Sequence, residues 1–378
     1  MTTMTEEQKQ IVKSTAPILK EHGKEITSIF YKKMFAAHPE LLNYFNLTNQ
    51  EIGTQPLALA NTVYLAAENI EQLEVLLPQV KTIAHKHRSL TIKAEHYPIV
   101  GEYLLKGIAE YLGDAATPEI LDAWGAAYGI IADIFIEVEQ EMYDALGDER
   151  NRDFIAFKII EKRQIAPNIF TLNLARNDGG ELVDFTPGQY ISLRVKLNEL
   201  FHNRQYSLTK AFDGKSYQVA IKQENEKDPA GVVSNHIFEN YEVGDTILAT
   251  LPAGDFELDK TASSHVFIAG GIGITPIAAM IDSLESPYEA QLIHCVRSKE
   301  YAVFAEEFQA KLGAQYHLFA GKNITKADLE ELVKPGVAIY LCGPVPFIRE
   351  VEALLLELGH AQSAIHFEAF QPALSLVK

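Results

Sequence analysis

The chain has 378 residues, 47% of them hydrophobic, and a formal net charge of −18. That length exceeds one hydrophobic core and predicts two or three domains, and the acidic balance argues against a role in neutralising nucleic-acid phosphates. Its two cysteines, Cys295 and Cys342, lie far apart and outside any C-x-x-C, which excludes a disulfide framework and a cysteine-held iron–sulfur cluster. The opening MTTMTEEQKQ is polar and lacks the apolar core of a signal peptide, and no run of about 18 apolar residues occurs. These features predict a cytoplasmic protein without stable membrane insertion. The sequence carries no internal repeat and no low-complexity segment.

Up to about residue 147 the pattern is helical. Thr5–Gln8 reads as a capping box, followed by Ile11, Val12, Thr15, Ile18 and Leu19 at helical spacing and by Gly23 as the stop. Leu73, Leu76, Leu77, Val80, Ile83, Ala84 and His87 step by threes and fours along one helix face, with Pro78 starting or kinking the helix. His87 thus continues the buried face, and His85 turns toward solvent with Lys86 and Arg88 nearby. On this stripe alone His87 reads first as a core histidine satisfied by a backbone carbonyl; the sharper reading is a metal ligand. Ile120, Leu121, Trp124, Ala127, Tyr128, Ile131, Phe135, Val138 and Met142 predict a second long amphipathic helix.

GDERNRDF (147–154) is a charged linker. After it come FIAFKIIEK, IFTLNLAR, QYISLRVKL, SYQVAIKQE and DTILATL, short alternating segments separated by turn residues, as in an antiparallel β-barrel or sandwich. From about Ser263 the apolar runs HVFIAG, AQLIHCV and VAIYLCG alternate with helical stretches, the signature of a parallel α/β sheet. The domain organisation expected is all-α over 1–147, antiparallel β over 151–258 and parallel α/β over 262–378.

The segments SIFYKKMFAAHPELLNYFN, GTQPLAL, AHKHRSLTIKAEHYPIVGEYLL and AWGAAYGIIADIFIEVE follow one another through the helical half. In that order they resemble the globin half of flavohaemoglobins. The resemblance implies Tyr31 and Gln55 over the distal face of a haem, Phe45 and Leu59 against it, His87 as proximal ligand to its iron with Lys86 alongside, and Tyr97 and Glu139 as partners of His87. Phe45 and Leu59 also read as ordinary core, Glu139 as one charge on an acidic helix end and Tyr97 as an amphipathic boundary residue. A carboxylate on the far nitrogen of a proximal imidazole makes that ring more basic, which favours activating O₂ over storing it. A tyrosine hydroxyl and a glutamine amide are donors suited to bound O₂.

RQYSLT (204–209) resembles the flavin fingerprint of the ferredoxin reductase superfamily. It implies Arg204 on the flavin pyrophosphate, Tyr206 on the ring and Ser207 at its reactive edge, with Gln205 between them; without the resemblance it is a strand with alternating polar residues. TPGQYISL adds Tyr190, GVVSNHIF adds Gly231, Val232 and Ser234, and PAGDF resembles the close of that family's barrel. FIAGGIGITPIAAMI follows a strand and opens a helix. Its Gly270, Gly271 and Gly273, with Ile272 among them, let the backbone approach a pyrophosphate, and Thr275 and Pro276 start the helix. The spacing is not G-x-G-x-x-G, so a two-domain Rossmann dehydrogenase is disfavoured. YLCGP resembles the second marker of the nicotinamide domain and adds Cys342, Gly343 and Pro344, although Cys342 equally reads as a small buried residue at a strand end. In RSKE, Arg297 suits a 2′-phosphate and Glu300 a 2′-hydroxyl, while the loop also reads as a solvated charged turn. HFEAFQP resembles the final strand, with Glu368 and Phe370 near the flavin; Ala369 and Gln371 depart from the residues usual there.

Resemblance over essentially the full length implies a multidomain protein: an all-α globin, an antiparallel β-barrel FAD domain and a parallel-sheet α/β NAD(P) domain. The cofactors implied are b-type haem, in keeping with the lack of C-x-x-C-H, together with FAD and NADH or NADPH. The partners implied are small molecules, O₂, NO and NAD(P)H, with no nucleic acid, and the chain is expected as a monomer. The activity implied is nitric oxide dioxygenase, in which NAD(P)H reduces FAD, FAD reduces the haem and NO becomes nitrate. The alternatives are an NAD(P)H-dependent ferric, quinone or hydroperoxide reductase, or an O₂ or NO carrier or sensor; a carrier needs no hydride input, which the flavin and nicotinamide motifs argue for.

Overall fold

The computed structural model describes residues 3–46, 53–225, 231–286 and 290–370. Its contacts gather into two compact units, Met1–Phe154 with Arg194–Arg204, and Ile155–Leu193 with Gln205–Gln371. Among the described residues no helix is long and apolar enough to cross a membrane.

The first unit is built on α1 (Glu6–Ala37), α2 (Thr54–Glu68), α3 (Leu77–Ser89), α4 (His96–Leu112) and α5 (Pro118–Asp144). The capping box at Thr5 and Gln8 is present and starts α1. Gly23 does not stop it. The helix runs through both Pro17 and Gly23 because Val12, Ala16, Leu19, Gly23, Ile26, Phe30 and Met34 form one unbroken buried stripe. Gly23 marks a close helix crossing instead: a Cβ there would sit 2.7 Å from Cβ of Ala60 on α2. One turn on, Thr27 Oγ1 donates to Pro56 O of α2 at 2.8 Å. The stripe leading to His87 is also corrected. It begins in a 3-10 turn, Leu73–Leu76, and Pro78 sits in the first turn of α3, so Leu77 faces out at 37% exposure. Arg88, read with the solvent side, is 5% exposed, and His85 is half-buried.

The β segment forms a six-stranded antiparallel sheet from β1 (Ile155–Ala166), β2 (Ile169–Arg176), β3 (Tyr190–Leu197), β4 (Leu200–Ser207), β5 (Tyr217–Lys222) and β6 (Thr246–Ala249). Their order is β4-β3-β6-β1-β2-β5, and a bridge from Leu208 to Val219 joins the two ends, closing the sheet into a barrel. Ile155, Phe157 and Ile159 alternate inward along β1. The helix α6 (Val232–Asn240) follows β5.

The remaining strands are β7 (His265–Gly270), β8 (Ala290–Val296), β9 (Tyr316–Ala320), β10 (Ala338–Cys342) and β11 (Ile365–Glu368), all parallel, in the order β11-β10-β7-β8-β9. The helices α7 (Ile274–Ser283), α8 (Ala305–Leu312), α9 (Lys326–Leu332) and α10 (Val345–Glu357) connect them. Every residue of β7 and β10 is buried, as expected of parallel strands covered on both faces.

The crossing at Gly23 sets two magnitudes against each other. A larger residue gains helix propensity worth about 1 kcal/mol, while overpacking costs about 1–3 kcal/mol. The clash meets a Cβ on a helix and not a mobile side-chain end, so Gly23→Val is expected to destabilise the helical unit by about 2 kcal/mol in denaturant unfolding. Ala60→Gly in the same chain is expected to recover part of that loss. A Gly23→Val protein as stable as the parent would show that α1 and α2 need not approach this closely.

Candidate functional site

Three helices meet at His87. Its Nδ1 lies 2.7 Å from Glu139 Oε1 of α5 and 3.1 Å from the Tyr97 hydroxyl of α4, and that hydroxyl donates to Glu139 Oε1 at 2.6 Å. Glu139 is 3% exposed. Burial first, then the charge of Glu139 and the bond to it, push the Tyr97 phenol far above its ordinary range, so it keeps its proton and donates it. With that proton given to Glu139, the phenol oxygen accepts from Nδ1. The ring proton is therefore on Nδ1, shared between Glu139 and Tyr97, and Nε2 carries the unshared pair. Among the described residues Nε2 makes no hydrogen bond. Phe135 packs against both rings, 5.7 Å from His87 and 6.4 Å from Tyr97, and fixes their orientation. Lys86, next in the chain, is half-buried.

Tyr31 is 6% exposed, on the same stripe of α1 as Gly23 and Thr27, whose contacts with Ala60 and Pro56 press α1 against the start of α2. Gln55 and Leu59 come from that start and are half-buried. The corner after α1 brings Phe45 edge-on to Tyr31 at 5.6 Å, and Phe35 closes the cluster at 5.2 Å from Phe45. An apolar cavity between α2, α3 and α5 is lined by Leu65, Ala66, Leu76, Val80, Ile83 and Phe135. Gln79 also lines it, and its Oε1 is buried without a hydrogen-bond partner among the described residues. An imidazole whose Nδ1 is locked to a carboxyl, leaving Nε2 bare, suits a haem with one histidine ligand.

In the barrel, strand alternation separates the fingerprint. Asn203 and Ser207 are buried, Gln205 between them on that face is half-buried with its amide donating to Ser192 Oγ at 3.1 Å, and Arg204 and Tyr206 take the opposite face. Tyr190 is half-buried against Gly254: a Cβ there would come 3.0 Å from the tyrosine ring, and Gly254 has φ +119. At the start of α6, Gly231 N donates to Glu224 O at 2.6 Å, Ser234 is 8% exposed and Val232 is 45% exposed.

Strand order reverses between β7 and β10, and the crevice outside the carboxyl ends of strands at such a point is where open α/β sheets bind ligands. Both markers fall there: Gly270, Gly271, Ile272 and Gly273 follow β7, leading to Thr275 and Pro276 in α7, and Gly343 and Pro344 follow β10. The glycines divide their roles. A Cβ on Gly273 would lie 2.3 Å from Cys342 O, and one on Gly270 would lie 2.8 Å from the Phe347 ring. Gly271, at φ +55, faces open space. Cys342 is fully buried, and burial pushes its thiol well above the usual value, so the strand end presents backbone and not sulfur. Glu368 ends β11 opposite Cys342, Phe370 is 48% exposed, and Arg297 is exposed with its guanidinium 3.8 Å over the Tyr301 ring.

Several residues that complete these arrangements escape sequence reasoning. Tyr128 donates to Tyr97 O at 2.7 Å and Tyr143 to Ile92 O at 2.8 Å, clamping the segment that carries Tyr97. Gly101 leaves room for Tyr128, since its Cβ would fall 2.5 Å from that ring. Tyr128 stands in the amphipathic stripe of α5, which reads it as packing, and Tyr143 lies just beyond the end of that stripe.

Residues 28–135 match the globin family model and residues 156–258 match the oxidoreductase FAD-binding domain model. A flavohemoprotein of Halalkalibacterium halodurans is 41% identical, with 98% of each chain covered, and flavohemoprotein A of Dictyostelium discoideum is 38% identical over 98% of this chain and 99% of its own. The crystal structure of a flavohemoglobin from Malassezia yamatoensis with bound FAD and haem aligns with a TM-score of 0.86 at 27% identity, covering 97% of this chain and 99% of that one. The FAD/NAD-binding domain of a nitric oxide dioxygenase from Vibrio cholerae aligns over 57% of this chain and 98% of its own, with a TM-score of 0.53 and 29% identity. On this identity and coverage the chain belongs to the flavohaemoprotein family, oxidoreductases that join a haem-binding globin to an FAD- and nicotinamide-binding reductase.

Proposed function

We propose that the chain is a nitric oxide dioxygenase, organised as a haem domain over 1–147, an FAD domain over 151–258 and a nicotinamide domain over 262–378. The observation that carries this reading is the pair of bonds from His87 Nδ1 to Glu139 and Tyr97. When bound, the haem supplies the iron at which NO and O₂ combine to nitrate, and the flavin divides the hydride of NAD(P)H into single electrons. His87 offers Nε2 to the iron. Glu139 accepts the Nδ1–H, which makes the ring a stronger donor, and Tyr97 keeps Glu139 aimed at it. A storage protein has no use for that electron push; an enzyme that must activate O₂ does. Tyr31 and Gln55 would supply donors to a bound ligand, and Phe45 and Leu59 would bound the cofactor with apolar surface. On the reductase side Arg204 takes flavin phosphate oxygens and Tyr206 covers the ring from the same strand face, while Gly231 and Ser234 present the start of α6 to the phosphates. The kinship with a nitric oxide dioxygenase domain supports the choice of substrate. The test is NADH oxidation by the holoprotein in air: NO is expected to raise it and to appear as nitrate, and indifference to NO would overturn the reading in favour of a plain reductase.

His87→Ala is expected to lose the haem or its redox cycling, read from the Soret band, while NADH-driven reduction of a soluble dye through FAD persists. His85→Ala is expected to do neither. If His85 proves to be the residue required, the assignment of the inward histidine is wrong.

Tyr31→Phe removes one donor to a group that develops charge, an interaction worth roughly 2–4 kcal/mol. The reduced protein should release O₂ faster and turn over less NO. An unchanged release rate removes Tyr31 from the distal site.

Stacking on Tyr301 holds the Arg297 guanidinium in place beyond the end of β8. We expect NADH to serve and NADPH to serve appreciably, with Arg297→Ala lowering kcat/KM for NADPH more than for NADH. Equal losses, or none, would show that Arg297 does not read the 2′-phosphate.

A further inference from the structure

Strand β8 lies between β7 and β9, and all of residues 292–296 are buried. Leu292, Ile293, Cys295 and Val296 suit a strand covered on both faces; His294, 0% exposed, needs a reason. A buried imidazole is stable only if both ring nitrogens find partners. Nδ1 is 3.2 Å from the Tyr316 hydroxyl on β9, and the rings of Phe308 and Tyr316 each stand 6.3 Å away. Nε2 has no hydrogen-bond partner among the described residues. Burial pushes the imidazole down to about 4, and the one group acting against that is the backbone of Gly271. His294 is thus a neutral ring with one N–H and one acceptor nitrogen. Sheet register sets it opposite Ala269, two residues before Gly271.

The turn above it has packed ends and open space beside its middle. Gly270 and Gly273 are wedged against Phe347 and the Cys342 carbonyl, whereas Gly271 has open space where its Cβ would be. The Gly271 carbonyl accepts the Ile274 N–H at the start of α7 and keeps a second lone pair for another donor. In a trans peptide the carbonyl and the N–H point in opposite directions. A Gly271 carbonyl turned down to His294 directs the Ile272 N–H up, into the crevice at the switch point.

We propose that His294 is a positioning residue for nicotinamide binding: its Nε2–H takes the Gly271 carbonyl when the dinucleotide's diphosphate engages the turn, and so holds the Ile272 N–H toward the phosphate. The proposal rests on the reading that the dinucleotide binds at this turn. The Tyr316 hydroxyl donates to Nδ1 and keeps the proton on Nε2.

The test compares His294→Leu, which fills the volume without a donor, with His294→Gln, whose amide nitrogen reaches about as far as Nε2, in the FAD- and haem-loaded full chain. The measurements are calorimetric Kd for NAD⁺, KM and kcat for NADH with a soluble dye, and FAD content. His294→Leu is expected to raise Kd and KM roughly tenfold, the loss of about one hydrogen bond, with kcat at saturating NADH and FAD content retained. His294→Gln is expected to restore most of the affinity, and Tyr316→Phe to weaken it by a smaller factor. Unchanged affinity in His294→Leu overturns the proposal, as does a His294→Gln protein as weak as His294→Leu. If His294→Leu fails to fold, Tyr316→Phe decides, and an unchanged Kd there overturns it. Gly271→Asp tests the underlying reading separately: its backbone tolerates φ near +55, and its carboxylate repels a diphosphate. Unchanged Kd in Gly271→Asp puts the dinucleotide elsewhere, and a weakened Kd there with normal binding in His294→Leu removes only the role of His294.

Discussion

A carboxyl group held out of water must be met by donors, and Glu139 imposes that condition on the helical half. Its 3% exposure leaves it dependent on two donors, the Tyr97 hydroxyl at 2.6 Å and His87 Nδ1 at 2.7 Å. To satisfy it, α3, α4 and α5 must come together at one point, and Tyr128 and Tyr143 then donate to the carbonyls of Tyr97 and Ile92. The same condition selects the tautomer of His87. Were the carboxyl absent, the Tyr97 hydroxyl could donate to Nδ1 instead, and either ring nitrogen could carry the proton. Stability and chemistry here follow from one electrostatic requirement.

His87 and His294 present the same motif in two settings. Each gives Nδ1 to a tyrosine hydroxyl, at 3.1 and 3.2 Å, and each leaves Nε2 without a protein hydrogen bond among the described residues. The difference is the carboxyl group. At His87, Glu139 adds negative charge behind the ring and makes Nε2 a good electron donor. At His294 no carboxyl group among the described residues acts on the ring, burial prevails, and the imidazole is held neutral. In the second setting the tyrosine supplies a proton instead of sharing one, so Nε2 is a donor and not a ligand.

The parts of this fold that are legible in sequence are those whose signal is local. The stripe from Ile120 to Met142 is one helix, HVFIAG and AQLIHCV are strands as read, and the capping box at Thr5 starts α1. Gly23 was misread because a glycine that ends a helix and one that admits a neighbour have the same local sequence, and its partner Ala60 lies in another helix. The set Tyr97, Glu139 and His87 spans separations of 10, 42 and 52 residues, so no periodicity joins it; only kinship to other sequences brought it together. Within FIAGGIGITP the glycines were legible as a turn, but which of them faces a ligand was not, because that depends on Phe347 and Cys342, contributed by strands and helices formed much later in the chain.

That last dependence bears on the order in which the molecule is made. During synthesis β7 and its turn leave the ribosome well before β10, yet Gly270 and Gly273 are shaped to fit residues 342–347. Until those arrive, one flank of β7 is an unpaired, largely apolar edge, and β8 and β9 can cover only the other. The nascent α/β segment is then most prone to mispair, and it stays so until about seventy more residues have been added, several seconds at ordinary elongation rates. Insertion of β10 both caps that edge and gives the glycine turn its floor, so the dinucleotide crevice and the resistance of the segment to aggregation are acquired in a single step.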